Sequence, residues 1–201
     1  MKKGYVYTIV FMLAVSVFFT AILATTDTVL KDRIELNEEF AAQQAILDSL
    51  GIEGSDDPEE VARIFEDQLV AETVNDKTYY RQIDADGETV AYSVPYVGSG
   101  LWGTIRGYIG VSDDLQTMQG IVFTEQNETP GLGGRIQEPE FRDQFRGMDI
   151  SQGAPNRYGT FGGVEIDAIT GATGTSNSIL GILQDIADDV LPELAAAIGL
   201  E

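Results

Sequence analysis

An uninterrupted apolar run near the start of the chain contrasts with the mixed patterns that follow it. Tyr5 to Ala24 is a stretch of twenty residues without a charge. At about 1.5 Å per residue in a helix it reaches roughly 30 Å, the thickness of a bilayer core. The run is longer than the apolar part of a typical signal peptide, and no Ala-x-Ala pair ends it. We therefore expect a retained single transmembrane anchor within residues 1–28.

Two helical patterns follow the apolar run. Apolar residues recur at helical spacing from Val29 to about Leu50, mixed with charged residues, until Gly51. A shorter pattern runs from Asp57 to about Leu69 and has a proline in its first turn. We expect residues 29–77 to form a membrane-proximal helical segment with a packing or docking role.

Short alternating runs begin at Thr78 and predict two β-hairpins. The first would join Tyr79–Ile83 to Val90–Val94, and the second would join Thr104–Val111 to Met118–Thr124. The pattern predicts an antiparallel sheet of four or more strands with helices at both ends of the sequence, which is an α+β fold. We assign residues 78–201 to this domain.

Four of the ten residues from Asp167 to Ser176 carry a hydroxyl group, and several of the others are small. These small residues leave the backbone uncrowded, and an apolar run at helical spacing begins at Ile179. Small residues before a helix can bind a phosphate through free N–H groups and the positive end of the helix dipole. A hydroxyl-rich turn with Thr175 or Ser176 as an ordinary N-cap is the alternative.

One glycine-rich stretch lies between the two hairpins, and another lies between the second hairpin and this helix. Gly98 to Gly103 contains Trp102, the only tryptophan, which could be a core residue beside a flexible turn or a flat apolar contact for a ligand. Glu128 to Gly134 combines a proline with three glycines, and by itself it indicates only a tight turn.

Composition excludes several classes of site. The chain has no cysteine and no histidine, so disulfides, iron–sulfur ligation, thiol catalysis and the usual zinc sites are excluded. Ten basic and all thirty-three acidic residues follow the apolar run, a net charge of −23. Such a charge repels nucleic acid, so we expect no nucleic-acid partner.

The order of residues in the hydroxyl-rich stretch is specific. Asp167, Thr170, Gly171, Ala172, Thr173 and Thr175 resemble the flavinylation motif of FMN-binding domains at every defined position. Members of that family carry FMN through a phosphoester on the last threonine of the motif. The resemblance implies covalent FMN on Thr175, with Thr173 as the competing hydroxyl, and an FMN transferase that makes the bond.

The anchor and the glycine-rich stretches extend this resemblance. In their order along the chain they are similar to the G subunit of Rnf complexes and to the C subunit of the sodium-pumping NADH:quinone oxidoreductase, and the short length favours Rnf. Relatives often have histidine where this chain has Glu125, Gln126 and Asn127, and a branched apolar residue where it has Gly174. The implied cofactor-binding residues outside the motif are Gly100, Leu101, Trp102, Glu128, Thr129, Pro130, Gly131, Leu132 and Gly133.

The resemblance implies a redox subunit rather than a self-sufficient enzyme. Such a subunit passes electrons through its FMN between neighbouring membrane subunits of a complex that couples ferredoxin and NAD to ion translocation. It has no catalytic residue or metal of its own. The alternatives are a free-standing anchored flavoprotein for extracytoplasmic electron transfer, and a non-redox receptor or adaptor with an acidic surface.

The charges around the apolar run predict its orientation. Lys2 and Lys3 precede the run and Asp27 follows it, and basic flanks stay on the cytoplasmic side. We expect a single-pass protein of the cytoplasmic membrane with its C-terminal domain outside the cytoplasm. Within that domain we expect the Glu128–Gly133 loop and Trp102 to close over the flavin ring and to influence its potential rather than its attachment.

Overall fold

A long helix begins the structure, a computed structural model that describes residues 2–75 and 77–200. Helix α1 spans Lys2–Ser49. Among the described residues it is the one helix long and apolar enough to cross a membrane. The chain divides into two compact units, residues 1–39 and Phe40–Glu201.

Helix α1 is continuous where the sequence suggested two helical stretches. No glycine or proline occurs between Ala24 and Leu50, so nothing in the chain breaks the backbone ladder. The hydroxyls of Thr25 and Thr28 donate to the carbonyls of Ala21 and Ala24. These threonines therefore satisfy their own polar atoms at the end of the apolar run.

The second unit is built on a five-stranded antiparallel sheet with strand order β1-β2-β3-β4-β5. The strands are β1 (Leu69–Val74), β2 (Lys77–Ile83), β3 (Thr89–Ser99), β4 (Thr104–Ser112) and β5 (Met118–Glu125). Both predicted hairpins and the α+β class are confirmed. Strand β1 was missed because it directly follows helix α2, Pro58–Gln68, and its short apolar run resembles the end of that helix.

Helices cover both faces of the sheet. The last residues of α1, helix α2 and strand β1 share one apolar cluster, centred on Ile46, Leu47 and Val61. The opposite face packs against a larger cluster contributed by the C-terminal half of the chain. Its elements are α3 (Pro139–Arg142), β6 (Gly159–Phe161), β7 (Val164–Ile166), α4 (Thr173–Asp185) and α5 (Leu191–Ile198), with short 3₁₀ turns at Gly133–Gln137 and Asp143–Phe145.

The C-terminal end of α1 is bound tightly to the sheet. The buried hydroxyls of Ser49 and Ser93 lie 2.7 Å apart, and Asp48 accepts hydrogen bonds from Arg142 and Arg146. A Cβ at Gly110 would lie 1.9 Å from the Ser49 carbonyl oxygen. Residues 40–49 of the helix are therefore part of the folded domain, although the sequence pattern placed the start of that domain at residue 78.

Helix α4 crosses strand β3 at a glycine. A Cβ at Gly98 would lie 2.3 Å from Cγ1 of Ile182, a buried residue of α4. The helix continues through a π-helical turn, Ile186–Val190, into α5. The close contact at Gly98 sets where the first turn of α4 lies relative to the end of β3.

Substitution of Gly98 tests this contact. We expect Gly98→Ala to lower the free energy of unfolding by about 1–3 kcal/mol, because the added methyl group overpacks the helix–sheet interface. Gly181→Ala is the control. Position 181 lies in the same helix with no neighbour within 4 Å of its Cβ position, so alanine should raise helix propensity and stability by up to about 1 kcal/mol. Denaturant unfolding of the solubilised chain, followed by circular dichroism, measures both.

A double substitution separates overpacking from a general loss of strand stability. Ile182→Ala removes the side chain that the new methyl group meets, so the cost of Gly98→Ala should be smaller in that background. Additive costs would contradict the close contact.

Candidate functional site

The flavinylation motif forms the turn that leads into helix α4. Gly171 adopts a left-handed conformation, φ +80°, which a glycine accepts without strain. The Ile169 N–H donates to Oγ of Ser176 at 3.1 Å, and the Tyr158 hydroxyl donates to the carbonyl of Ser176 at 2.7 Å. Burial raises the pKa of Tyr158, so this phenol stays a neutral donor. The turn is thus held from both sides.

The start of α4 offers free backbone donors. The N-cap residue is Ala172, and no side chain in the described part of the protein caps the helix. The first hydrogen bond of the helix is donated by the Ser176 N–H to the Ala172 carbonyl. The N–H groups of Thr173, Gly174 and Thr175, in the first turn of the helix, therefore have no acceptor within the helix and lie at the positive end of its dipole, where an anion is stabilised.

The two candidate threonines differ sharply in environment. Thr173 is exposed, whereas Thr175 is only 2 % exposed. The hydroxyl of Thr175 donates to Oε2 of Glu128 at 2.5 Å. Of the two candidate attachment sites, the Thr173 hydroxyl is therefore exposed to solvent, and the Thr175 hydroxyl is buried in contact with a carboxylate.

Glu128 joins three separate stretches of the chain. It is 3 % exposed, and besides Thr175 its carboxylate accepts a hydrogen bond from the Trp102 backbone N–H at 3.0 Å. Its own backbone N–H donates to Oε1 of Gln126 at 2.6 Å. Within the described residues no lysine or arginine forms an ion pair with Glu128.

Glycines allow the two loops to come this close. A Cβ at Gly133 would lie 2.4 Å from Oγ1 of Thr175, and one at Gly100 would lie 2.5 Å from Oε1 of Glu128. The Thr129 carbonyl accepts from the N–H groups of Leu132 and Gly134, which closes the loop into a tight turn. The Glu128–Gly133 loop therefore lies directly over Thr175.

Large apolar side chains surround the turn on the outside. Trp102 is 69 % exposed, Leu101 55 % and Leu132 44 %. Leu101 lies over Gly174 and Leu132 over Gly171, since Cβ atoms at these glycines would meet the two leucines at 2.9 and 3.3 Å. This apolar rim, defined as Leu101, Trp102 and Leu132, is a surface that a flat aromatic ligand could contact.

The remaining motif residues lie to one side. Asp167 and Thr170 are exposed and line a cavity of about 420 Å³ together with Arg135, Glu138 and Gln144. The Asp167 backbone N–H donates to the side chain of Gln144 at 2.5 Å. Thr129, Pro130 and Gly131 form the exposed tip of the loop.

The residues present fit an FMN group in two respects. Uncapped N–H groups and a hydroxyl suit a phosphate, and the apolar rim suits an isoalloxazine ring. The sequence did not reveal the roles of Gln126, Tyr158 and Ser176, which bond to the motif or to Glu128 from outside. Their types and spacing carry no ligand signal, and only the folded structure brings them to the site.

Known proteins share the segment that forms this site. A family model described as an FMN-binding domain matches residues 100–188, which include the apolar rim, the Glu128–Gly133 loop and the motif. The chain is 30% identical over 186 residues to the G subunit of the ion-translocating oxidoreductase complex of Methanosarcina acetivorans, covering 90% of this chain and 92% of the relative. The chain belongs to this G-subunit family. The resemblance seen in the motifs is confirmed.

The chain is also similar to proteins of the C-subunit type. The chain is 38% identical over 101 residues to the C subunit of the Na(+)-translocating NADH-quinone reductase of Pasteurella multocida, but the match spans 46% of this chain and 38% of that protein. A crystal structure of the corresponding C subunit from Parabacteroides distasonis superposes with a TM-score of 0.62 at 28% identity, covering 80% of this chain and 95% of that one. NqrC from Shewanella oneidensis, at 20% identity and the same TM-score of 0.62, covers 71% of this chain and 88% of its own and supports the fold.

Removal of the Ser176 hydroxyl tests the support of the turn. Ser176→Ala leaves the buried Ile169 N–H without an acceptor, so we expect the free energy of unfolding to fall by about 1–3 kcal/mol. Ser178→Ala is the control, because that side chain bonds only a carbonyl of its own helix at 3.3 Å. Chemical unfolding curves measure both, and equal effects would show that the Ser176 contact contributes nothing.

Proposed function

We propose that this protein carries FMN on Thr175 through a phosphoester and relays electrons within an ion-translocating membrane oxidoreductase of the Rnf type. The observation that carries the proposal is the position of Thr175, which lies in the FMN-binding segment at the start of α4, beside uncapped backbone N–H groups. Bound FMN supplies the redox chemistry by accepting and passing on electrons.

Different residues of the site would bind the phosphate and the ring of FMN. The Thr175 hydroxyl and the N–H groups at the start of α4 would hold the phosphate end. Leu101, Trp102 and Leu132 would contact the ring, since they are large, apolar and exposed around the same turn. Thr175 is buried and the apolar rim is exposed, so the ring would remain accessible to neighbouring redox centres.

Identity and coverage both favour the Rnf-type G subunit over the C subunit. The alignment with a protein of the G type covers 90% of this chain and 92% of the relative at 30% identity, whereas the C subunit of Vibrio anguillarum aligns over 86% of both chains at 28% identity. Partner subunits in the membrane follow from this assignment and from the candidate transmembrane helix. Copurification with several membrane subunits would favour the relay, and purification alone would favour a free-standing flavoprotein.

Substitution of the two threonines tests the attachment site. Each full-length variant is co-expressed with an FMN transferase and tested for flavin fluorescence in a denaturing gel and for intact mass. We expect wild type to gain the mass of FMN less one water, and Thr175→Ala to lose both signals. Thr175→Ser keeps the hydroxyl and should be labelled partially.

Thr173→Ala is the matched control for Thr175→Ala. It removes an exposed hydroxyl of the same motif, so it should keep most of the label. Loss of the label in the Thr173 variant with retention in the Thr175 variant would move the attachment to Thr173. A colourless wild type would favour a receptor or adaptor.

A single cysteine tests the proposed orientation, in which the flavin domain lies outside the cytoplasm. Asp113 is exposed in the turn after β4, and the chain has no cysteine of its own. We expect Asp113→Cys to react with a membrane-impermeant maleimide in whole cells. Protection in whole cells with reaction in inverted vesicles would reverse the orientation. Asp114 is less suitable, because its carboxylate accepts from Ser112 and from the Gln116 N–H.

A further inference from the structure

From the sequence we expected the Glu128–Gly133 loop to influence the flavin's potential rather than its attachment. The contact between Glu128 and Thr175 leads to a different role, and we propose that Glu128 is the proton acceptor that activates Thr175 when the flavin is attached. The inference rests on the proposed function and adds a catalytic role for a residue of the acceptor protein itself. Oε2 of Glu128 lies 2.5 Å from Oγ1 of Thr175, the atom that would form the bond to phosphorus. General bases act from within this hydrogen-bonding distance.

The surroundings of Glu128 fix it in this position. Its second carboxylate oxygen accepts from the Trp102 backbone N–H, and its backbone N–H is held by Gln126. Glu128 stands at the base of the loop, while the residues at the tip, Thr129 to Gly131, are exposed. The tip is therefore accessible from solvent, while the carboxylate lies against Thr175.

An aliphatic hydroxyl is a weak nucleophile, so its reaction with a phosphate ester needs both a base and a leaving group. The donor class is a flavin whose FMN phosphate is part of a phosphoanhydride, as in flavin adenine dinucleotide. Oγ1 of Thr175 forms a bond to the FMN phosphorus, and the phosphoanhydride P–O bond breaks. The departing nucleoside monophosphate takes that electron pair, and the Thr175 proton passes to Oε2 of Glu128. Nothing is oxidised or reduced.

The proton transfer also resolves a conflict of charge. The attached phosphodiester is an anion, and an ionised Glu128 beside it would repel it in a buried site with no cationic partner among the described residues. A Glu128 that has taken the proton is neutral and can donate it in a hydrogen bond to a phosphodiester oxygen. The same step thus activates the hydroxyl and neutralises the carboxylate.

The test measures the rate of attachment to the full-length protein with transferase and flavin adenine dinucleotide, by in-gel fluorescence and intact mass. We expect Glu128→Gln, nearly the same size, to slow attachment by at least about a hundredfold, the lower end for general base catalysis. Glu128→Asp keeps a carboxylate and should retain more activity than the glutamine variant. Glu88→Gln makes the same charge change at an exposed residue of the turn between β2 and β3 and should label at the wild-type rate.

The pH dependence of the labelling rate distinguishes a general base from a residue with only a structural role. The ratio of the wild-type rate to the Glu128→Gln rate cancels the pH dependence of the transferase. If Glu128 is the base, the ratio should fall towards one on acidification, because a protonated carboxyl cannot accept the proton. A constant ratio, or labelling of Glu128→Gln at the wild-type rate, would overturn the proposal and leave Glu128 as a structural link between the loops.

Failure of this inference differs from failure of the proposed function. Normal labelling of Glu128→Gln together with loss of label in Thr175→Ala would retain the attachment site and reject the base. Absence of label on wild type, or persistence of label on Thr175→Ala, would reject the attachment site itself. Unfolding curves show whether Glu128→Gln is folded, and Glu128→Asp provides the second readout where it is not.

Discussion

The candidate site depends on one buried carboxylate without a cationic partner among the described residues. An ionised group that is 3 % exposed is costly unless hydrogen bonds replace its water. Glu128 receives one from the Trp102 backbone and one from Thr175, and bonds to charged groups contribute about 1.5–3 kcal/mol each. The need to satisfy this carboxylate therefore joins the β3–β4 loop, the loop after β5 and the first turn of α4.

The antiparallel sheet makes this junction possible. Strand β3 ends at Ser99, β4 begins at Thr104 and β5 ends at Glu125, so the β3–β4 loop and the chain leaving β5 emerge at the same end of the sheet. Helix α4 brings Thr175 to that end because it lies against β3 at Gly98. Gly100 and Gly133 then remove the side chains that would keep the loops apart.

Local patterns predicted the elements, and they could not predict the contacts between them. The alternation around residues 84–88 and 112–114 indicated both hairpins, and the uncharged run of Tyr5–Ala24 indicated the anchor helix. Thr175 and Glu128 are forty-seven residues apart, and no periodicity links them. The resemblance to the family named both residues. The contact in which Glu128 covers the Thr175 hydroxyl is visible only in the folded chain.

A buried attachment residue beside an exposed apolar rim is an arrangement that suits a protein with a covalently attached cofactor. A ligand held only by noncovalent contacts needs most of its surface buried in a pocket, and burial would separate the flavin ring from its redox partners. An ester at Thr175 would hold the cofactor without that burial. Leu101, Trp102 and Leu132 can then remain exposed, supporting one side of the ring and leaving it accessible for electron transfer.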